Sequence, residues 1–413
     1  MSNCSPLLKK RWLYLGLFCL INFFTGAIYI WSVFSGPLAA YLSTLNPAQE
    51  VTVATLGSVF GLATGVTPLL MLTGGFINDR FGPRLIIMVG GLCLAAGYFL
   101  SALATSVSAL YWSYGILAGA GTGLVNGCTI NSAVKFFPDK RGFAGGTVTA
   151  CLGIGGALLP FLANALIDTV GIVSTLNVFG VLLGSVVVCS ALPLVKCPDG
   201  FSQIFAPRQT AETTRHDVNC NWLGMVKSHR FYPLFFMFAI VATMGLMLLS
   251  NISGIAKNQI GIGSTLIALC VSTLSLANTG GRFLSGVLSD RFGRMQTLTA
   301  MLLVAMAALA LLYSAEKGDV TQFFIGLAGV GLCFGSAFGI YPGLVADEFG
   351  SKHNSVNFSV MAFSYSIGGF FGPMIIRSIG AGQHYDTAYQ ICMGICVLGL
   401  LCAGWFLALR KKS

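Results

Sequence analysis

Among the cations of this chain, only Arg282 falls inside an apolar stretch and away from its ends. All thirteen acidic residues and all four histidines lie in polar loops or at the edges of apolar runs. Ser275, Asn278, Thr279, Arg282 and Ser285 recur at three- and four-residue intervals, which places them on one face of a helix. A charge in hydrocarbon costs about 2.5–3.5 kcal/mol even on the lenient insertion scale, so Arg282 is expected to face a cavity or a partner. Its planar fork of permanently charged donors suits a carboxylate held in two parallel hydrogen bonds. The chemistry of this stripe is therefore anion binding along a watered path. The competing reading is snorkelling, since Arg282 stands about six residues, roughly 9 Å at 1.5 Å per residue, from the nearer polar end.

Other side chains are placed to line the same path: Tyr29 and Trp31 on the first apolar run, Asn126 on the fourth and Asn251 on the seventh. Phe334, Phe338 and Tyr341 follow on the tenth and Tyr365 on the eleventh. Aromatic residues in membrane helices serve equally as packing or interface anchors. Buried asparagines are costly unless paired, and each has the alternative of bonding a neighbouring helix. No nucleophile–base pair lies within the helices, so no enzyme is expected. The thirteen cysteines show no metal-ligand spacing and no disulfide framework; they read as small core residues, and neither metal nor cofactor is expected.

The elements that position these residues follow from composition. With 55% hydrophobic and 9% charged residues and a mean hydropathy of +0.82, 413 residues have too little polar surface for a water-soluble globule. Apolar runs long enough to cross about 30 Å of hydrocarbon as helices occur near residues 12–37, 51–78, 84–105, 108–132, 144–166, 170–193, 232–254, 262–288, 295–315, 320–346, 355–378 and 386–409. The alternating segments of a β-barrel are absent. Lys9, Lys10 and Arg11 before the first run imitate a signal peptide, but the run is too long and lacks a small-x-small site, so it is expected to be retained. The fold class is all-α membrane protein with twelve transmembrane helices.

The helices fall into two sets. Gly75-Phe76-Ile77-Asn78-Asp79-Arg80-Phe81-Gly82-Pro83-Arg84 is echoed 211 residues later by Gly286-Val287-Leu288-Ser289-Asp290-Arg291-Phe292-Gly293-Arg294. Leu117-Ala118-Gly119-Ala120-Gly121 and Leu327-Ala328-Gly329-Val330-Gly331 repeat at an offset of 210; Ile154-Gly155-Gly156 with Pro160 and Ile367-Gly368-Gly369 with Pro373 repeat at 213. Three matches in register indicate a duplicated bundle, the architecture of a secondary transporter. Residues 1–195 and 231–413 are expected to form two pseudo-symmetric six-helix bundles, with 196–230 as a polar linker and a short amphipathic piece around Trp222–Val226. The first copy has Met71 where the second has Arg282, so the charge of the path is asymmetric.

A net charge of +10 raises the question of nucleic acid, but its distribution answers it. With both termini on one side, that side receives Lys9, Lys10, Arg11, Arg80, Arg84, Lys135, Lys140, Arg141, Arg291, Arg294 and most other cations. The opposite side receives Lys257, Lys317 and Arg377. The positive-inside rule then makes both termini and the linker cytoplasmic. The basicity is topology, and no nucleic-acid partner is expected. In the repeated hairpins, Asp79 and Asp290 are placed to face helix N-termini and cations. Arg80, Arg84, Arg291 and Arg294 are placed to pair with carboxylates or the phosphates of membrane lipids; the alternative is plain topogenic charge. Gly115, Gly119, Gly123 and Gly127, and again Gly331, Gly335 and Gly339, form small-residue rows that allow close helix approach.

The G-x-x-x-D-R-F-G-x-R hairpin, its second copy and twelve spans in two halves resemble the major facilitator superfamily over the whole chain. Gly26-Ala27-Ile28-Tyr29-Ile30-Trp31-Ser32, Phe136-Phe137-Pro138-Asp139-Lys140-Arg141-Gly142 and Gly280-Gly281-Arg282 are similar to the oxalate/formate antiporter branch, whose relatives include carriers of monocarboxylates. The resemblance implies the major facilitator fold, with the hairpin network holding one conformational state closed on the cytoplasmic side. It implies an arginine at position 282 that binds the substrate carboxylate, and a cavity tyrosine at Tyr29. At Asn126, Phe334 and Phe338 the oxalate carrier has larger aromatic or hydroxylated residues. That carrier's second cation, a lysine on helix eleven, is replaced here by Tyr365, and one fixed charge favours monoanions such as formate, lactate or pyruvate over oxalate. Proton-linked relatives carry an aspartate one turn before the arginine; Asn278 stands there, so a proton and a counter-anion remain alternative co-substrates.

With no nucleotide-binding loop, energy is expected from solute gradients. A drug-efflux transporter would be expected to bury an acid for cationic drugs, and no acid falls within an apolar run; a sensor would be expected to carry a signalling extension, and with tails of a dozen residues or fewer none is expected. The expected function is alternating-access transport of a small carboxylate across a cell inner membrane by a monomer, with an oxalate/formate-type exchanger or a multidrug or other metabolite efflux transporter as the alternatives.

Overall fold

The computed structural model describes residues 5–45, 51–198, 201, 219–378 and 385–411. The expected linker at 196–230 falls largely outside the described residues, as do His216 and His384. Among the described residues there is no strand. The helices are α1 (Ser5–Thr25), α2 (Trp31–Leu45), α3 (Val53–Phe81), α4 (Pro83–Ala102), α5 (Val107–Leu110), α6 (Gly119–Phe136), α7 (Arg141–Ala191) and α8 (Trp222–Lys227). They continue with α9 (Phe231–Ile255), α10 (Ser264–Phe292), α11 (Arg294–Ser314), α12 (Val320–Phe349), α13 (Asn354–Ser378) and α14 (Tyr385–Lys411).

These make twelve spans. A 3₁₀ segment, Gly26–Ile30, joins α1 to α2 in one span, and a π segment, Tyr111–Ala118, joins α5 to α6 in another. Two spans run together as α7, broken at Gly171. By length and hydropathy alone, eight stretches among the described residues qualify as membrane-crossing, and the described parts of α6, α10 and α13 are not among them. Each of these three carries asparagine, serine or threonine along its length. Polar residues in a membrane helix belong on an interior face, so the spans with the weakest apolar signal are those with most to contribute to a site.

The chain divides into two compact units: Met1–Asp139, Cys151–Asp217 and Ser351–Ser359 form the first, and Lys140–Ala150, Val218–Gly350 and Val360–Ser413 the second. The beginning of α7 is thus part of the second unit, and the beginning of α13 part of the first. Within each unit the repeated hairpin turns on a glycine of positive φ, Gly82 at +90° and Gly293 at +97°. A side chain would be strained in that conformation, which is why both copies of the phrase carry glycine at that turn.

The small-residue rows are helix contacts. A Cβ at Gly119 or Gly123 of α6 would strike the backbone of Ala63 or Thr67 on α3. In the second unit, a Cβ at Gly335 or Gly339 of α12 would strike the carbonyl of Asn278 or Arg282 on α10. Backbone-to-backbone packing holds the polar stripe of α10 in a defined register. Because the obstructing atom is backbone, Gly335→Ala is expected to cost about 1–3 kcal/mol, the range for overpacking, and to lower the melting temperature in detergent. Gly61→Ala, where nothing lies within 4 Å of the added carbon, is expected to leave melting unchanged.

Candidate functional site

In the second unit, Arg282 is 8% exposed. Its Nε donates to Asn278 Oδ1 at 3.0 Å, one turn earlier on α10, and its Nη1 donates to the Thr149 carbonyl of α7 at 3.1 Å. The ring of Phe338 lies 4.8 Å from the guanidinium carbon, within cation–π range. No carboxylate pairs with Arg282 among the described residues. Among the described residues, two of five N–H donors are therefore held by neutral acceptors and one face by an aromatic ring, leaving three donors and an uncompensated charge. The fork is fixed in place but not neutralised, which is what a reversible anion site requires.

Phe338 meets Tyr365 edge-on at 5.2 Å, and Tyr365 stacks on Phe334 at 6.3 Å. Phe334 sits over Gly245 of α9, where a Cβ would collide with its ring. Arg282, Asn278, Phe338, Tyr365 and Phe334 are thus one cluster. Tyr341 is fully buried and turns its hydroxyl to the Leu234 carbonyl at 2.7 Å. Asn251 donates to the Met247 carbonyl and to Ser250 on its own helix. Neither of these two bonds a member of the Arg282 cluster.

In the first unit, Tyr29 is 41% exposed while its neighbours on either side are buried. Asn126 Oδ1 is buried without a hydrogen-bond partner among the described residues, as is Oδ1 of Asn22, whose amide donates to Thr129. Asn22 and Thr149 were not legible as site residues. Thr149 enters through a backbone carbonyl, and its one sequence signal is the row Gly142, Gly146, Thr149 on the face of α7 that meets α10; a Cβ at Gly146 would lie 2.5 Å from the Arg282 carbonyl.

The hairpin aspartates cap helices. Asp290 accepts from the amides of Gly142 and Phe143, at the start of α7, at 2.9 and 2.7 Å. Arg294 pairs with it at 2.6 Å and with Asp347 at 2.9 Å, while Arg141 pairs with Asp347 at 2.6 Å. In the first unit, Asp79 accepts from the amide of Val356, at the start of α13, at 3.3 Å and pairs with Lys135 at 2.6 Å. A carboxylate at a helix N-terminus satisfies orphan amides and meets the positive end of the helix dipole. Arg80, Arg84 and Arg291 are exposed and have no carboxylate partner among the described residues; Arg80 and Arg291 lie over Phe81 and Phe292.

The model of the Major Facilitator Superfamily matches residues 13–373 and again 234–413. The chain is 30% identical to the oxalate:formate antiporter of Oxalobacter formigenes over 394 residues, 94% of this chain and 90% of that one. It is 27% identical to monocarboxylate transporter 11 of Mus musculus over 359 residues, 83% of this chain and 76% of that one. The fold matches the crystal structure of the Escherichia coli fucose:proton symporter with a TM-score of 0.68 and 14% identity, covering 98% of this chain and 99% of that one. With a duplicated set of six spans, a repeated aspartate-capped hairpin and these likenesses, the chain belongs to the major facilitator superfamily and is a multi-pass transporter related to the oxalate:formate antiporter and monocarboxylate transporters.

Proposed function

We propose that this protein carries small monocarboxylate anions, of the size of formate, lactate or pyruvate, across a cell inner membrane by alternating access, with both termini cytoplasmic. The observation that supports this most directly is the guanidinium of Arg282, buried, gripped by Asn278 and Thr149, and without a carboxylate partner among the described residues. An incoming carboxylate supplies the missing counter-charge and takes N–H donors that the protein leaves open. Phe338, Phe334 and Tyr365 provide the apolar and aromatic wall that a short hydrocarbon tail requires. Tyr365 also stands where a second cation would serve a dianion, which favours monoanions over oxalate. Asn126, Tyr29, Asn251, Asn278 and Tyr341 are assigned as further substrate-side residues.

Asn278 does not titrate, so it cannot return a proton with the substrate. An empty site keeps a bare positive charge that disfavours crossing, whereas a loaded site is neutral. Exchange of one anion for another is therefore the mode the electrostatics favour. Asp79 and Asp290, with Arg80, Arg84, Arg291 and Arg294, are assigned to gating, because a capped helix start must be released before it can move.

Uptake of labelled formate, lactate, pyruvate and oxalate into proteoliposomes, with and without trapped unlabelled anion, tests this reading. Trapped monocarboxylate is expected to accelerate uptake of the monoanions, with oxalate slower. Failure of all four to enter would overturn the assignment. Removing one partner of a buried charged pair costs about 2–5 kcal/mol, so Arg282→Gln is expected to lose at least about thirtyfold in exchange while remaining folded by its melting curve. Normal exchange by that variant would sink the site. For Asp290→Asn, loss of a charge–dipole and ion-pair contribution of about 1–2 kcal/mol is expected to change the maximal exchange rate several-fold. The half-saturation concentration should stay within twofold, as measured in the same vesicles.

A further inference from the structure

The first span is not one helix. Between Thr25 and Trp31 it tightens to 3₁₀ geometry over Gly26–Ile30 before resuming as α2. Gly26, Ala27, Ile28 and Ile30 are buried, and Tyr29 is presented outward. A 3₁₀ turn has poorer internal hydrogen bonds than an α turn and is uncommon in mid-helix, so something must hold it. Two phenol hydroxyls bond its carbonyls: Tyr98 of α4 donates to the Ala27 carbonyl at 3.0 Å, and Tyr114 donates to the Ile28 carbonyl at 3.0 Å. Both tyrosines are at most 1% exposed.

Tyr114 itself belongs to the π segment Tyr111–Ala118, a second departure from α geometry facing the first. Its ring lies 4.2 Å from Trp31, at the end of the 3₁₀ turn, and 5.5 Å from Tyr98. Trp31 in turn donates its indole N–H to the Leu56 carbonyl at 3.0 Å. On the other side, Gly26 and Gly155 admit backbone contact between this span and α7, and a Cβ at Gly156 would lie 2.9 Å from the Tyr29 ring. The carbonyls of Ala27 and Ile28 are the two immediately before Tyr29, so tying both sets the direction in which its side chain leaves the backbone. Phenylalanine at 98 and 114 would fill the same volume; only the hydroxyls reach the carbonyls.

We infer that Tyr98 and Tyr114 are positioning residues for Tyr29, holding its phenol where it meets the transported anion; this rests on the assignment of Tyr29 as a substrate-side residue. Neither tyrosine needs to touch the anion. Each acts through the 3₁₀ turn that its hydroxyl stabilises.

The test uses the full-length protein in proteoliposomes, with Tyr98→Phe and Tyr114→Phe made singly and together. In a Tyr29→Cys background, alkylation of position 29 by a small maleimide, located by peptide mass spectrometry because the chain has other cysteines, reports the position of residue 29 without reference to any substrate. The paired phenylalanine variant is expected to shift that alkylation rate at least fivefold. In the native Tyr29 background, the same pair is expected to raise the half-saturation concentration for monocarboxylate exchange about tenfold with the maximal rate within twofold. In a Tyr29→Phe background it should add nothing further. An unchanged alkylation rate overturns the positioning role, as do half-saturation effects that simply multiply with Tyr29→Phe, which mark a general packing defect. A shifted alkylation rate in a protein whose wild type exchanges no monocarboxylate supports the positioning and overturns the transport reading instead.

Discussion

A permanent positive charge in a membrane helix governs the second unit. A guanidinium cannot shed its proton, so the surrounding chain must solvate it, neutralise it or leave it for a ligand. Here Asn278 and the Thr149 carbonyl solvate two of its donors and Phe338 covers one face, all without cancelling the charge. Neutral acceptors fix the orientation of the fork while preserving its attraction for an anion. A carboxylate in place of Asn278 would pair with the guanidinium and cancel its charge unless it were protonated. An amide at that position orients the fork and leaves its charge in place.

Supporting this arrangement is the close approach of α10 to its neighbours. Gly335 and Gly339 bring α12 onto the Asn278 and Arg282 carbonyls, and Gly146 brings the start of α7 onto the other side of Arg282. The same architecture recurs in the first unit with different contents. Gly127 of α6 sits on the side chain of Met71, the counterpart of Arg282, and Ser359 of α13 donates to the Met71 carbonyl at 3.0 Å. The two copies differ at the central side chain, a thioether at Met71 and a guanidinium at Arg282. One unit thereby carries the charge and the other carries Tyr29, Asn22 and Asn126, all neutral.

The two departures from α geometry in the first unit belong together. A tightened turn and a widened turn face each other, the Tyr114 hydroxyl joins them, and Tyr98 of α4 bonds the tightened turn as well. Neither departure leaves a periodicity that a reader of hydropathy would notice, because both preserve the apolar character of the span. Glycine alone gives a hint, at Gly26 and Gly115, and glycine is abundant throughout this chain.

The amino-acid sequence by itself determined the membrane class, the number of spans, the duplication and which cation stands inside a span. These are readable because the cost of a polar group in hydrocarbon is paid locally, so Arg282 and its stripe stand out against any neighbours. It also marked Asp79 and Asp290 as candidates for helix N-termini, though not which ones. Only the tertiary structure decided that Asp79 caps α13, 277 residues away, and that Asp290 caps α7, 148 residues away. It alone brought the Thr149 carbonyl to Arg282 and the two tyrosine hydroxyls to the first span, and turned Tyr341 toward α9. In each of these the acceptor or donor on one side is a backbone group, which every residue possesses and which therefore leaves no signature in the order of side chains.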